Sequence, residues 1–254
     1  METSKISEWQ LRDHIGILTL SNPPQNYITE PEFVYLSDLK RWTDNDSLRG
    51  IVITGKGRHF CAGFDKQNIF EITDKKILQA QLRKSQQILY HIEDLTIPVV
   101  AAITGVCFGA GLELALSCHI RVCSEKSLLS FPETEFGIIP GSNGTVRLPK
   151  QLGIRHPMEL VMTGKTIHAD EALSIGIVDH VVPSKQVFEF SLNLLEKLTG
   201  DTPITVIHAA MKSLNNARKL PRDLASQEET NLVAKLVLDK LKMTQNGLAN
   251  HNKP

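Results

Sequence analysis

Two glutamates set among apolar residues, and a glycine run just ahead of the first, are the groups in this sequence best placed to do chemistry. Glu113 sits between Leu112 and Leu114 in a helical run. Glu133 lies with Glu135 in the otherwise apolar stretch Phe131-Pro-Glu-Thr-Glu-Phe-Gly-Ile-Ile-Pro-Gly141. A carboxylate in such surroundings is either a buried structural group satisfied by partners, or one whose pKa is raised so that it exchanges protons near neutral pH. Glu135 rivals Glu133, because two residues on in an extended loop it would share Glu133's face. The run Gly105-Val-Cys-Phe-Gly-Ala-Gly111 leads from a buried apolar strand into the helix that carries Glu113. That geometry points first-turn N–H groups at one spot, where the helix dipole favours negative charge. No Gly-Lys-Ser/Thr follows the glycines, which excludes a Walker-type phosphate loop, and the third small residue of a dinucleotide fingerprint is missing. What remains is an oxyanion site built from backbone donors. A second candidate, His59-Phe-Cys-Ala-Gly-Phe-Asp65, has small residues that let the backbone approach a ligand, or that simply close a tight loop after a strand.

Several elements must position these residues. Alternating apolar residues predict strands over 6–13 and 14–20, broken by Ser21-Asn-Pro-Pro24. Helical spacing over 30–42 puts Phe33, Leu36, Leu39 and Trp42 on one stripe, with Pro31 in the first turn. Strands are predicted over 49–54, 98–103, 119–123, 128–131 and 177–182, with loops over 58–69 and around Gly141 and Gly144. Residues 75–92 form a long amphipathic helix, with Leu78, Leu82, Ile88, Leu89 and Ile92 on its apolar face. Helices follow over 112–117, 154–163, 169–174, 186–197, 204–216 and 224–242, and the polar tail from 246 onward frays. Strand-then-helix units imply an α/β body. Short strands that return to extended structure soon after each helix fit a spiral of ββα turns, though pattern alone does not separate that from a doubly wound sheet. The apolar stripes of the C-terminal helices need cover, from the body or from a neighbouring subunit.

Composition narrows the function classes. The 28 basic and 28 acidic side chains cancel, so no global field draws the chain to nucleic acid or an anionic membrane. Cys61, Cys107, Cys118 and Cys123 form no CxxC pair and read as buried reduced thiols. The polar N-terminus is not a signal peptide, and no apolar run reaches the ~18 residues of a membrane span. The expected location is the cytoplasm, or an organelle if a transit segment has been removed. His119 and His180 read as structural, and Trp9 and Trp42 as packing residues.

The segments Phe60-Cys-Ala-Gly-Phe-Asp65, Gly109-Ala-Gly-Leu-Glu-Leu-Ala115 and Phe131-Pro-Glu133 with Gly137-Ile-Ile-Pro-Gly141 resemble the signatures of the enoyl-CoA hydratase/isomerase (crotonase) family. The resemblance continues, in order, through Gly144-Thr-Val-Arg-Leu-Pro149, Met158–Gly164, Ala169-Asp-Glu-Ala172 and Gly176–Pro183, and covers about residues 10–215. It implies an α/β crotonase-like spiral of ββα units over residues 1–195 carrying an acyl-CoA site. Residues 196–254 would be a helical C-terminal oligomerisation region, in a homotrimer or a hexamer. It implies backbone N–H groups of Phe64 and Ala110 as the oxyanion hole. Glu113 would activate a water for attack at the β-carbon of an enoyl thioester, and Glu133 would deliver a proton to the α-carbon. Ala62, Asp65, Lys66 and Gly109 would cradle the substrate and its CoA, with Lys212 near a CoA phosphate. No metal and no cofactor is implied beyond coenzyme A as part of the substrate, and the partner is an acyl-CoA or an acyl-carrier thioester.

The family runs several reactions on one fold. Both glutamates together favour an enoyl-CoA hydratase. A double-bond isomerase, or another enolate reaction such as decarboxylation, can run on one carboxylate, and a non-catalytic acyl-CoA-binding protein would be expected to have lost one. Three departures bear on the site. Gln25-Asn-Tyr-Ile-Thr29 replaces the family's usual sequence after the first turn. Phe64 stands where alanine is commoner, so its ring would reshape the acyl site. Ser142-Asn143 stand where Ala-Gly is frequent.

Overall fold

A computed structural model describes residues 1–30 and 32–251, with side chains described as far as Thr244. The expected place of Pro31 lies outside the described residues. The chain forms β1 (Glu2–Ser4), β2 (Ser7–Arg12), β3 (Ile15–Leu20), α1 (Leu36–Thr43), β4 (Gly50–Gly55), α2 (Lys66–Phe70) and α3 (Lys75–Glu93). There follow β5 (Val99–Ile103), β6 (Val106–Phe108), α4 (Ala110–Ser117), β7 (Ile120–Ser124), β8 (Leu128–Ser130) and a 3-10 turn at Pro132–Phe136. The remainder is α5 (Gly144–Leu152), α6 (Arg155–Thr163), β9 (Ile167–His168), α7 (Ala169–Ser174), β10 (His180–Val182), α8 (Val187–Thr199), α9 (Ile204–Lys219) and α10 (Arg222–His251). Two compact units result: residues 1–93 with 98–200, and residues 94–97 with 201–254.

In the first unit a seven-stranded sheet runs β1-β2-β3-β4-β5-β7-β10, and a three-stranded sheet runs β6-β8-β9. The first two pairings are antiparallel and the rest of the large sheet is parallel. The chain thus places β5 in the large sheet, β6 in the small one and then α4, and repeats the move with β7, β8 and α5. This is the ββα spiral. Its parallel strands are covered on both faces, as parallel sheets require. Val52, Val100, Ala102 and Val122 on one face pack with Val187, Leu192 and Leu195 of α8. The alternate residues Ile51, Ile53, Ala101 and Ile103 are equally buried.

Where the structure departs from the pattern, a tertiary cause is visible. The helix expected over 30–42 starts only at Leu36. Ser7 Oγ donates to the Phe33 carbonyl and Ser4 Oγ accepts from the Tyr35 N–H, which ties 33–35 to the first strands. α5 begins at Gly144, where the glycines predict a bend; Gly144 and the internal Pro149 oppose a helix, and burial of Arg147 and Leu148 holds it. β6 is three residues long, too short for periodicity to reveal. α10 continues through the positions from 246 to 251 that were expected to fray. All four cysteines are free and buried. Trp9 and Trp42 stack with ring centroids 5.5 Å apart.

Candidate active site

The two glycine-containing loops are stitched together by backbone bonds. The Cys61 N–H donates to the Val106 carbonyl, and the Phe108 N–H donates to the Cys61 carbonyl. α4 then packs hard on this loop: a Cβ at Gly111 would lie 2.5 Å from the Cys61 carbonyl oxygen. On its other side the 58–65 loop pairs with Ile28 through the Gly63 carbonyl and the Asp65 N–H. Strand alternation therefore turns the Phe64 N–H to the opposite side. Ala110 opens α4, so its N–H has no intrahelical acceptor. The loops bring these two N–H groups into one neighbourhood: a Cβ at Gly63 would lie 3.6 Å from the Ala110 nitrogen.

Ala62, Phe64, Lys66, Gly109 and Glu133 line one cavity of about 180 Å³. Ile69 and Phe70 of α2, Leu78 and Leu82 of α3, and Phe136, Ile138 and Ile139 complete its apolar walls. Lys66 Nζ stands 3.3 Å from the Phe136 ring centroid across it, a cation–π contact. Asp65 does not line this cavity. Its carboxylate accepts from the Gln67 N–H at 3.1 Å and caps α2. Lys212 belongs to the second unit, on α9. The wall residues are what sequence reasoning missed. Leu78 and Leu82 read as part of a core stripe, but they are only half-buried and face the cavity.

Glu113 is 1 % exposed. Its Oε1 accepts from the backbone N–H of Ser142 at 2.8 Å and of Gly144 at 2.7 Å. Arg147, itself buried, donates to the Ser142 carbonyl at 2.8 Å and to Glu93 at 3.0 Å, bracing the turn that supplies this clamp. No sequence signal marked these bonds, because backbone groups make them. Glu133 stands in the 3-10 turn, entered by Pro132 and ended by Gly137 at φ +74. The turn separates the two rival carboxylates: Glu133 faces the cavity, while Glu135 is exposed. The Oε2 atoms of both Glu113 and Glu133 are buried with no hydrogen-bond partner among the described residues.

The electrostatics follow from that burial. Desolvation pushes the Glu113 carboxyl up to about 7, against the opposing pull of the Gly144 and Ser142 N–H groups. Desolvation, and then the charge of Glu113, push Glu133 up to about 7. Two carboxyls that feel each other's charge titrate as a pair and hold about one proton between them near neutrality. Such a pair can take a proton and give one in the same step.

Gly109 leaves no room for a side chain beside Glu133. It adopts φ 50, ψ −122, and a Cβ there would lie 2.8 Å from Glu133 Oε1. Gly109→Ala is expected to cost about 1–3 kcal/mol of stability from backbone strain. It should also displace the Glu133 carboxylate. Thermal melting together with kcat/KM checks this; an unchanged kcat/KM would show that the carboxylate is not held against residue 109.

No helix is long and apolar enough to cross a membrane, and no cluster of potential metal ligands occurs among the described residues. The sequence matches the family model for enoyl-CoA hydratase/isomerase over residues 11–251. The fold is similar to that of an enoyl-CoA hydratase from Bacillus anthracis (TM-score 0.86, 26% identity, 97% of each chain covered). It is also similar to that of an enoyl-CoA hydratase from Thermoplasma volcanium GSS1 (TM-score 0.83, 28% identity, 98% of each chain covered). A Thermobifida fusca YX protein solved in complex with CoA shares the fold (TM-score 0.83, 24% identity, 93% of this chain and 95% of that one). With a family match over nearly its whole length and these neighbours, the chain belongs to the enoyl-CoA hydratase/isomerase, or crotonase, family.

Proposed function

We propose that the protein is an enoyl-CoA hydratase, adding water across the 2,3 double bond of an enoyl thioester. The observation that carries this reading is the pair of buried carboxylates, Glu113 clamped by two backbone N–H groups and Glu133 lining the cavity, each with Oε2 buried and unpartnered among the described residues. In the proposed reaction the thioester carbonyl lies between the N–H groups of Phe64 and Ala110. These donors stabilise the negative charge that develops on its oxygen as the enolate forms. The Glu113 carboxylate, held by two backbone amides, takes a proton from water as the oxygen attacks the β-carbon. Glu133, neutral at that moment, gives its proton to the α-carbon. The added hydroxyl comes from the water and the added proton from Glu133, while Glu113 keeps the water's other proton, so the pair ends with one proton between them as it began. Ala62, Lys66 and Gly109 line the path taken by the thioester and its CoA. A protein of this fold, the one from Thermobifida fusca, holds CoA, and we carry that ligand to this chain as part of the proposal. The helical region after residue 195 is proposed to make the contacts of a homotrimer or a hexamer.

The test follows loss of the conjugated thioester absorbance of crotonyl-CoA against pH. Glu113 must be ionised, so its raised pKa removes activity as pH falls through about 7. Glu133 must be protonated, so its raised pKa removes activity as pH climbs through about 7. The expected profile of kcat/KM is therefore a narrow bell centred near neutrality. No hydration at any pH, with turnover of a 3-enoyl or a carboxylated thioester, would move the assignment to another enolate reaction of the family.

A further inference from the structure

A separate cavity, of about 450 Å³, lies outside the carboxyl ends of the parallel strands β4, β5, β7 and β10. Crevices in that position are where parallel sheets of α/β proteins take ligands. It shares no lining residue with the acyl cavity, and all of its lining residues belong to the first unit. Three cations line it: Arg58 from the segment after β4, Lys126 from the turn after β7, and Lys185 from the segment after β10. All three are exposed, and none is in an ion pair among the described residues. No acidic side chain lines the cavity. Glu125, next to Lys126 in sequence, accepts from Ser184 Oγ at 3.3 Å. The 3-10 turn Ser184–Gln186 leads into α8 and puts the positive end of that helix's dipole at the rim.

The neutral groups beside these cations are mostly donors. His59 Nδ1 accepts from the Val106 N–H at 3.1 Å, which makes Nε2 the protonated nitrogen of a neutral ring. Burial, and then the charge of Arg58, hold this ring below its usual pKa, in keeping with that tautomer. The carbonyls of Thr104, Gly105, Val106 and Ser124 are already engaged, by the N–H groups of Phe60, Leu128, Cys61 and Ser127. His59 Nε2 and Thr104 Oγ1 have no partner among the described residues, and neither is closed off from solvent. A cation would find no carboxylate here, whereas an anion finds three charges and several donors. The cavity is larger than a bare phosphate needs. Its apolar side chains, Val106 and Leu128, offer no aromatic ring on which a nucleobase could stack. We infer that this cavity binds a sugar phosphate. The phosphate sits among Arg58, Lys126 and Lys185, and a hydroxyl-bearing body lies against His59 Nε2 and Thr104 Oγ1. The inference is independent of the hydratase reading.

The experiment titrates the full-length protein by calorimetry at low ionic strength, where exposed charges are least screened. The ligands are glucose 6-phosphate and ribose 5-phosphate, with inorganic phosphate, glucose and AMP for comparison. At least one sugar phosphate should bind about tenfold tighter than inorganic phosphate, the effect of one or two net hydrogen bonds from the body. Glucose should not bind measurably, and AMP should bind no tighter than inorganic phosphate. Arg58→Gln, Lys126→Gln and Lys185→Gln should each weaken the sugar phosphate about threefold, and the triple variant about thirtyfold. Lys66→Gln, in the acyl cavity, should leave it unchanged. Four results overturn the inference: no binding of either sugar phosphate, binding that survives the triple variant, binding lost in Lys66→Gln, or inorganic phosphate or AMP bound as tightly as the sugar phosphates. The wild-type series decides the ligand class even if a variant fails to fold.

Discussion

Glu113→Gln and Glu133→Gln are each expected to lower kcat/KM for crotonyl-CoA hydration by about a hundred- to ten-thousand-fold. Glutamine keeps the shape and, at position 113, an oxygen for the Ser142 and Gly144 N–H groups. What it removes is the proton acceptor at position 113 and the transferable proton at position 133. Because the two groups act in one step, the double variant should cost little more than either single one. Stability should move the other way. The Glu133 carboxyl is raised from 4.5 to about 7 by burial, so the fold disfavours its ionised form. Its neutral form contributes fully below pH ~4.5, and that contribution is lost as pH rises through about 7. Above pH ~7 the Glu133→Gln variant should therefore be more stable than wild type, by up to about 3 kcal/mol, with the gap closing in acid. Denaturant melts at two pH values give the answer. An active, unstabilised Glu133→Gln protein would remove this residue from the chemistry.

The second large effect lies one layer out from the carboxylates. Arg147 is 3 % exposed and holds Glu93 and the Ser142 carbonyl. Arg147→Met breaks a buried ion pair with Glu93 and the bond to the Ser142 carbonyl, and should cost about 3–5 kcal/mol, read as a drop in Tm on the order of 10 °C. The same change removes a positive charge that pulls the Glu113 pKa down. The acidic limb of the pH–rate profile should therefore shift to higher pH in whatever protein remains folded. A merely structural arginine would lower Tm and leave that limb in place.

How far these features were legible in the sequence depends on what makes them. Glu113 and Gly109 were legible because a charge in an apolar run, and glycines at a strand-to-helix junction, break the local pattern. The α/β alternation was legible because long elements such as α3 repeat their period several times. β6 was not, since three residues carry no period, and α5 was not, since local propensity opposes it and packing overrides it. The 3-10 turn was the consequential miss. An extended loop would have put Glu133 and Glu135 on one face, whereas the turn sends them apart and chooses between them. Periodicity also cannot say whether an apolar stripe meets a core or a cavity, which is why Leu78 and Leu82 passed as core residues.

The clamp on Glu113 also bears on how this segment can drift and still be recognised. Two of its donors are main-chain N–H groups, which any residue but proline supplies at position 142, and the buried Ser142 hydroxyl adds a side-chain hydrogen bond to Glu113 and pairs with Ser85 Oγ at 2.8 Å. Position 143 must tolerate φ 75, which asparagine does. Position 144 is different, because a Cβ there would come within 3.0 Å of Glu113 Oε1. A search keyed to side chains would count Ser142-Asn143 as two mismatches, although the main-chain hydrogen bonds to Glu113 are untouched. Substitutions at these positions leave the main-chain half of the clamp in place, while the single glycine that follows stays fixed by geometry.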